Sequence, residues 1–151
     1  MEVKHLKDGI FLSQKKYAKD VLKKFRMEHC NPVSTPLAVN EKLSNMDGDE
    51  RADQTKYRSL IGSLLYLTAT RPDLMYPSSL LSRFMHSPSL THLGVGKRIL
   101  RYLKGTLDFG IWYEKSDGKL VGYVDSDWAG SLDDSKSTTG FVFSLGSGAF
   151  S

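Results

Sequence analysis

The sequence predicts an α+β protein in which a helical region is followed by a small antiparallel sheet. Up to residue 104, apolar residues recur at spacings of three and four, the period of an amphipathic helix. After Gly105 the chain changes to short runs rich in aromatic and β-branched residues, separated by turn residues, a pattern typical of strands. Hydrophobic residues make up 40% of the 151 positions and charged residues 25%, the balance of a globular protein with a core.

Four helices are predicted before Gly105. The first covers residues 13–28, because Ser13 suits an N-cap and the apolar residues after it share one face, with lysines on the other. Asn31 and Pro32 end this helix, and a connector rich in Pro, Asn, Asp and Gly follows from Pro32 to about Arg51. A bend is expected at Pro77, inside the third helix. The second, third and fourth helices are predicted at residues 53–70, 71–84 and 90–104.

Three strands are predicted in the last part of the chain, at residues 109–113, 119–124 and 139–145. The turn at residues 115–118 (KSDG) joins the first two strands as a β-hairpin. A three-stranded antiparallel sheet with one aromatic face and no helix behind it has an incomplete core. Its open edge could pair with a second chain, so self-association through this edge is a further expectation.

The net charge of +4 is unevenly distributed along the chain. Lysines are dense before residue 30, whereas acidic residues predominate after residue 121, which suggests two functional regions. The single Cys30 excludes an internal disulfide framework and a Cys-based zinc site. The N-terminus lacks the apolar segment of a secretory signal, and no stretch approaches the roughly 18 apolar residues that span a bilayer. We therefore expect an intracellular protein, in the cytoplasm or nucleus, without membrane contact.

Two carboxylates, Asp125 and Asp127, end the second predicted strand. Residues at i and i+2 of a strand lie on the same side of it. Carboxylate oxygens at a strand end suit Mg²⁺, and in two-metal phosphodiester cleavage such ligands hold the ions that activate water and stabilise the leaving oxygen. The alternative is that both aspartates only solvate a loop and cap a turn.

Several motifs resemble one family of mobile elements. Residues 121–130 (VGYVDSDWAG) and 137–143 (STTGFVF) look like the first two strands of the ribonuclease H domain of copia-type retrotransposon Pol polyproteins. Residues 57–67 (YRSLIGSLLYL), 70–73 (TRPD) and 97–106 (KRILRYLKGT) resemble the segment that joins reverse transcriptase to ribonuclease H in those polyproteins. The motifs follow the family's order over nearly the whole chain, so the resemblance is specific.

The resemblance implies a helical connection region followed by a truncated antiparallel ribonuclease H-like sheet. Residues 1–51 would be the helix and connector after the polymerase palm. Residues 52–106 would be the helical connection region, and residues 107–151 an incomplete ribonuclease H-like β-meander.

The resemblance also implies an incomplete catalytic site. Asp125 matches the first metal-binding aspartate of the nuclease, and Asp127 belongs to the same motif. The other carboxylates of the nuclease, and the aspartates of the polymerase, would lie outside this chain. The pair Asp133-Asp134 follows a polar loop and is not the aromatic-x-Asp-Asp turn of a reverse transcriptase. We therefore expect no catalysis by this chain and no bound cofactor, Mg²⁺ being the cofactor of the complete parent enzyme.

A basic cluster in the fourth predicted helix is the second candidate site. It consists of Lys97, Arg98, Arg101 and Lys104, with Tyr102 nearby for base stacking. By resemblance, this region would lie along a template–primer duplex. Contacts to the backbone of an RNA–DNA or DNA duplex would be non-specific and sensitive to salt. The alternative is a solvated helix face.

The same helix supports a rival function. Arg98, Ile99, Leu100 and Arg101 fit the Arg-x-Leu-Arg pattern of secreted effectors from oomycete plant pathogens. Such a protein would be delivered to the cytoplasm or nucleus of the host cell, bind host plant proteins and suppress defence or cell death. Against this interpretation, Ile99 and Leu100 lie in a helix predicted to be buried, whereas the motif belongs in an exposed segment.

Overall fold

The structure, a computed structural model, describes residues 1–39, 41–115, 118–126 and 130–150, and the side chain of Phe150 is not described. The α+β class is confirmed, since the described residues form helices and two three-stranded antiparallel sheets. The elements are β1 (Glu2–Leu6), β2 (Gly9–Ser13), α1 (Lys15–Lys24), α2 (Gln54–Leu67), a 3-10 helix (Pro72–Leu74), α3 (Met75–Ser82), α4 (Leu90–Gly105), β3 (Ile111–Glu114), β4 (Leu120–Ser126), β5 (Thr139–Leu145) and β6 (Gly148–Phe150).

The helices share one core. The apolar stripe of α2 faces α4, and Leu64 and Leu100 are both completely buried. Tyr57 is also buried, and its hydroxyl donates a hydrogen bond to the Leu81 carbonyl of α3 at 2.8 Å. Burial raises the pKa of this hydroxyl, so Tyr57 stays neutral. Ala18, Val21 and Leu22 attach α1 to the same core.

The N-terminal hairpin is an element that the sequence did not predict. β1 pairs with β2 from Glu2↔Ser13 to Leu6↔Gly9, so Ser13 ends a strand and does not cap a helix. The N-cap of α1 is Gln14. β1 (EVKHL) is exposed at four of its five positions and lacks the alternation of apolar and polar residues that marks a half-buried strand.

The predicted hairpin between residues 109–113 and 119–124 is wrong. β3 instead pairs with β2, with Phe11 opposite Trp112, and completes the first sheet. β4 pairs with β5, and β5 with an additional strand, β6. The positions of both strands were predicted. Which strand each of them pairs with depends on long-range packing, and a local turn pattern carries no information about that.

Pro72 and Pro77 do not have the structural effects that the sequence predicted for them. Residues 71–84 do not form one helix, because Pro72–Leu74 is a 3-10 turn and α3 begins at Met75. Pro77 lies in the first turn of α3, where a backbone N–H has no partner inside the helix, so no bend is needed.

The predicted connector is held against the helices. The Asp49 carboxylate accepts hydrogen bonds from the backbone N–H and the hydroxyl of Thr91, at 2.9 and 2.8 Å, and Asp47 accepts one from the Ser89 hydroxyl. The Leu90 N–H donates to the Glu50 carbonyl at 2.8 Å. The first two N–H groups of α4, those of Leu90 and Thr91, are thereby satisfied by the connector.

Candidate nucleic-acid interface and carboxylate site

Asp125 lies near the end of β4 with its side chain in solvent. It is opposite Gly140 of β5, and its Oδ1 accepts a hydrogen bond from the Ser126 N–H at 2.9 Å. Asp127, the second predicted ligand, lies outside the described residues. The predicted pairing of these two carboxylates therefore stays a prediction.

Asp133 and Asp134, the other described acidic residues of this region, are paired within the protein. Asp133 accepts hydrogen bonds from the Ser44 hydroxyl and from the backbone and side chain of Asn45, and these bonds lower the pKa of its carboxyl. Hydrogen bonds from the side chains of Lys136 and Ser131 lower the pKa of Asp134 to about 2. Within the part of the chain that the structure describes, no three His, Cys, Asp or Glu side chains lie together so that they could hold a metal ion. The described residues do not by themselves fit a two-metal site.

The arginines and the lysines of the basic cluster on α4 have different surroundings. The Arg98 guanidinium donates to the Thr35 hydroxyl at 3.0 Å, and the Arg101 Nε donates to the Asn31 carbonyl at 2.7 Å. Arg98 thus attaches the connector to α4, and Arg101 attaches the residue just before the connector. Lys97 is exposed and Lys104 half-buried, and neither forms an ion pair with a described residue. The phosphate-binding role of the cluster stays a prediction, best supported for Lys97.

Tyr102 is not a stacking platform. Its ring is 8% exposed, and its hydroxyl donates to the Asp73 carboxylate at 2.9 Å. Burial, together with the hydrogen bond and charge of Asp73, raises the pKa of this hydroxyl. The prediction that Tyr102 stacks on bases is wrong, because the position faces the interior.

The two central residues of the Arg-x-Leu-Arg motif are inside the protein. Ile99 and Leu100 have no exposed surface, and both belong to the core. The two arginines of the motif are those that donate to Asn31 and Thr35. In this fold the motif is not presented as an exposed, flexible segment.

A lysine stripe on α1 is a second basic surface, one for which the sequence predicted no site. Lys16, Lys19 and Lys23 are exposed on the side of α1 opposite its buried residues. None of the three forms an ion pair with a described residue. The hydrogen bond and charge of Lys15, aided by the charges of Lys19 and Lys4, lower the pKa of Asp108. The spacing i, i+3, i+7 was a signal available in the sequence.

Comparisons with known proteins decide the ancestry of the chain. It is 46% identical over 147 residues to the retrovirus-related Pol polyprotein from transposon RE1 of Arabidopsis thaliana, covering 97% of this chain and 10% of that protein. The polyprotein from transposon RE2 of the same plant is 44% identical over 147 residues, which again cover 97% of this chain and 10% of that protein. The chain belongs to the copia-type retrotransposon Pol polyproteins. It spans about a tenth of the length of these relatives.

A third relative is of another kind. A secreted RxLR effector protein of Plasmopara viticola is 42% identical over 97 residues, covering 63% of this chain and 68% of that protein. No protein-family model and no solved structure matches the chain. Within the described residues, no helix is long and apolar enough to cross a membrane.

Proposed function

We propose that this chain is a non-catalytic segment of a copia-type Pol polyprotein that binds nucleic-acid duplexes weakly and without sequence preference. The observation that carries the proposal is the lysine stripe of α1, whose charges have no ion-pair partner among the described residues. Lys97 and Lys104 add to it the charges that α4 does not use internally. We place this activity inside the cell, in the cytoplasm or nucleus.

The geometry of the stripe suits a phosphate backbone. Lys16 and Lys23 are seven residues apart, about 10 Å along a helix. Measured along the duplex axis, this length corresponds to about three base-pair steps of 3.4 Å. Flexible ammonium groups at such spacing contact phosphates without reading base edges. Binding is therefore expected for RNA–DNA hybrid and DNA duplex alike.

Charge-reversal variants test the proposal. Binding of a fluorescent RNA–DNA hybrid is measured at several salt concentrations by anisotropy. The double variant Lys16→Glu/Lys23→Glu should weaken binding and reduce the salt slope by about 2, because each phosphate contact contributes about 0.9. The matched control Lys42→Glu/Lys119→Glu changes the net charge equally at two exposed lysines elsewhere. Equal loss in both variants, or no binding by the unaltered chain at low salt, would contradict the proposal.

The absence of catalysis is tested separately. The purified chain is incubated with an RNA–DNA hybrid and Mg²⁺, and no cleavage above background is expected, because a single carboxylate cannot position two metal ions. The matched variant is Asp125→Asn. Cleavage by the chain that disappears in this variant would overturn the non-catalytic assignment.

The similarity to the secreted effector supports a second candidate function, in which the chain acts inside a host plant cell by binding host proteins. The buried Ile99 and Leu100 argue against a role for the Arg-x-Leu-Arg motif, although another surface could serve. Expression of a tagged chain in leaf cells tests this idea. Suppression of an elicited cell death, with accumulation in the cytoplasm or nucleus, would support it, and an unchanged cell-death response would eliminate it.

A further inference from the structure

One face of the second sheet is apolar. In the antiparallel register, Leu120 is opposite Leu145 and Val124 is opposite Phe141, and directly opposed residues point to the same side. Gly122 is opposite Phe143 on this side, and a Cβ at Gly122 would lie only 2.9 Å from the Phe143 ring. We name as the apolar face Leu120, Val124, Phe141, Phe143 and Leu145.

The apolar face is largely in solvent. Val124 is 75% exposed, Leu120 61% and Phe141 55%. The rings of Phe141 and Phe143 lie 5.9 Å apart and form a continuous surface. Among the described residues, Tyr113 of the first sheet covers the β6 end of this surface: its ring packs against Gly148, and its hydroxyl donates to the Ala149 carbonyl at 3.1 Å.

The two sides of the sheet differ in charge. The opposite side carries Tyr123 and Asp125, and the carboxylate of Asp125 would have to be desolvated in any close packing. The apolar face contains no charged residue. A second copy can therefore meet it without burying a charge or bringing like charges together.

We propose that the apolar face is the interface of a homodimer, in which the β4–β5–β6 sheets of two copies stack face to face. Two sheets with apolar inner faces pack about 10 Å apart with their strands nearly aligned, as in a β-sandwich. The face exposes on the order of 500 Å² per copy, which is at the upper range for patches on monomers. Two such faces bury roughly 1,000 Å², near the lower limit of specific interfaces, so the dimer is weak and concentration-dependent. This contact differs from edge pairing, which leaves the apolar face in solvent.

Analytical ultracentrifugation of the full chain over a wide concentration range tests the dimer. The unaltered chain should shift reversibly from monomer to dimer as its concentration rises. Val124→Lys places a charge in the centre of the face and should restore the monomer at every concentration. Tyr123→Lys is the matched control, because Tyr123 is 64% exposed on the opposite side of the same strand and its replacement should leave dimerisation unchanged.

Three results would overturn the inference. They are a chain that stays monomeric throughout, an open-ended series of larger oligomers, and dimers that are weakened equally by the two substitutions. Circular dichroism of each variant confirms that the β-sheet content is retained. The result is independent of nucleic-acid binding, because the lysine stripe lies on α1.

Discussion

Arg71 shows how a residue of a family motif can serve the fold. Its side chain is buried, and its guanidinium donates two hydrogen bonds to the Asp73 carboxylate, at 2.9 and 2.7 Å. It also donates to the carbonyl of Thr106 at 3.0 Å and to the Thr106 hydroxyl at 2.6 Å. The group stacks near the ring of Phe109, 5.3 Å from its centre. Arg71 therefore joins the turn before α3 to the end of α4.

Asp73→Ala is expected to lower the free energy of unfolding by about 3 kcal/mol. Removing the carboxylate leaves the Arg71 guanidinium uncompensated, and Arg71 has almost no access to water, although the Asp73 side chain itself is 33% exposed. Urea denaturation followed by circular dichroism measures the change. Asp20→Ala, an exposed position on α1, is the control and should change stability by less than about 0.5 kcal/mol. A loss at Asp73 no larger than at Asp20 would show that the pair does not stabilise the fold.

The same carboxylate makes stability depend on acidity. Burial raises the pKa of Asp73, but the hydrogen bonds from Arg71 and Tyr102 and the charge of Arg71 outweigh it and hold the pKa below its ordinary value of 3.8. The folded state therefore binds fewer protons than the unfolded state in this range. The stabilisation is complete above pH 3.8 and is lost as the pH falls through the lower, folded value. In thermal melts, the melting temperature of Asp73→Asn should fall less steeply with decreasing pH in this range than that of the unaltered chain. An equal pH dependence of the two melting temperatures would contradict the assignment.

At the scale of elements, α4 lies at the centre of the helical core and does not present an exposed recognition motif. Ser89 caps it, accepting a hydrogen bond from the His92 N–H at 3.2 Å, while the His92 ring accepts from the Ser89 N–H at 3.0 Å. Leu100 lies in the middle of this helix with no exposed surface. The basic side chains occupy the helix margins, where they meet the connector or solvent.

Leu100→Ala should lower the free energy of unfolding by about 2–5 kcal/mol, because it leaves a cavity in the helical core. Lys97→Ala, one turn earlier and exposed, is the control and should change stability little. Chemical denaturation measures both variants. If Leu100 belonged to an exposed recognition motif, the two substitutions would have similarly small effects.

At the scale of the whole molecule, the connector joins the helices to the second sheet. Asp133, in the loop between β4 and β5, accepts from the Asn45 backbone N–H at 2.9 Å and from its side chain at 2.8 Å. The Arg83 guanidinium, just after α3, donates to the Thr138 hydroxyl at 2.6 Å, which joins the helices to the second sheet directly. The contacts of Asp133, with those of Asp47 and Asp49, hold the polar, aperiodic connector in an ordered conformation.

Asp133→Ala should make residues 41–46 more sensitive to protease without unfolding the helical core. The substitution removes the acceptor for the Asn45 N–H, and an unanchored exposed segment opens locally at low cost. Limited proteolysis with mass spectrometry locates the cuts. Asp134→Ala is the matched control, because Asp134 is paired with Lys136 in its own loop. Equal cleavage of the two variants would show that Asp133 does not anchor residues 41–46 of the connector.

The local pattern of the sequence determined the α+β class, the positions of α2 and α4, and the strand runs that became β4 and β5. Helical periodicity is set by residues three and four apart, so a position such as Leu64 is assigned correctly without knowledge of its neighbours in space. The motifs that resemble the Pol polyproteins likewise indicated the ancestry, since common ancestry is recognised by comparing sequences and needs no structure.

Tertiary structure decided which strands pair and which basic side chains reach solvent. β3 joined β2 across most of the chain, and hydrogen bonds between distant strands leave no signal in local spacing. Arg98 and Arg101 resemble Lys97 in charge, yet both guanidinium groups donate hydrogen bonds to residues 31–35, whereas Lys97 is exposed and forms no ion pair with a described residue. The exposure of a side chain is a property of what packs against it, and only the folded chain specifies that neighbour.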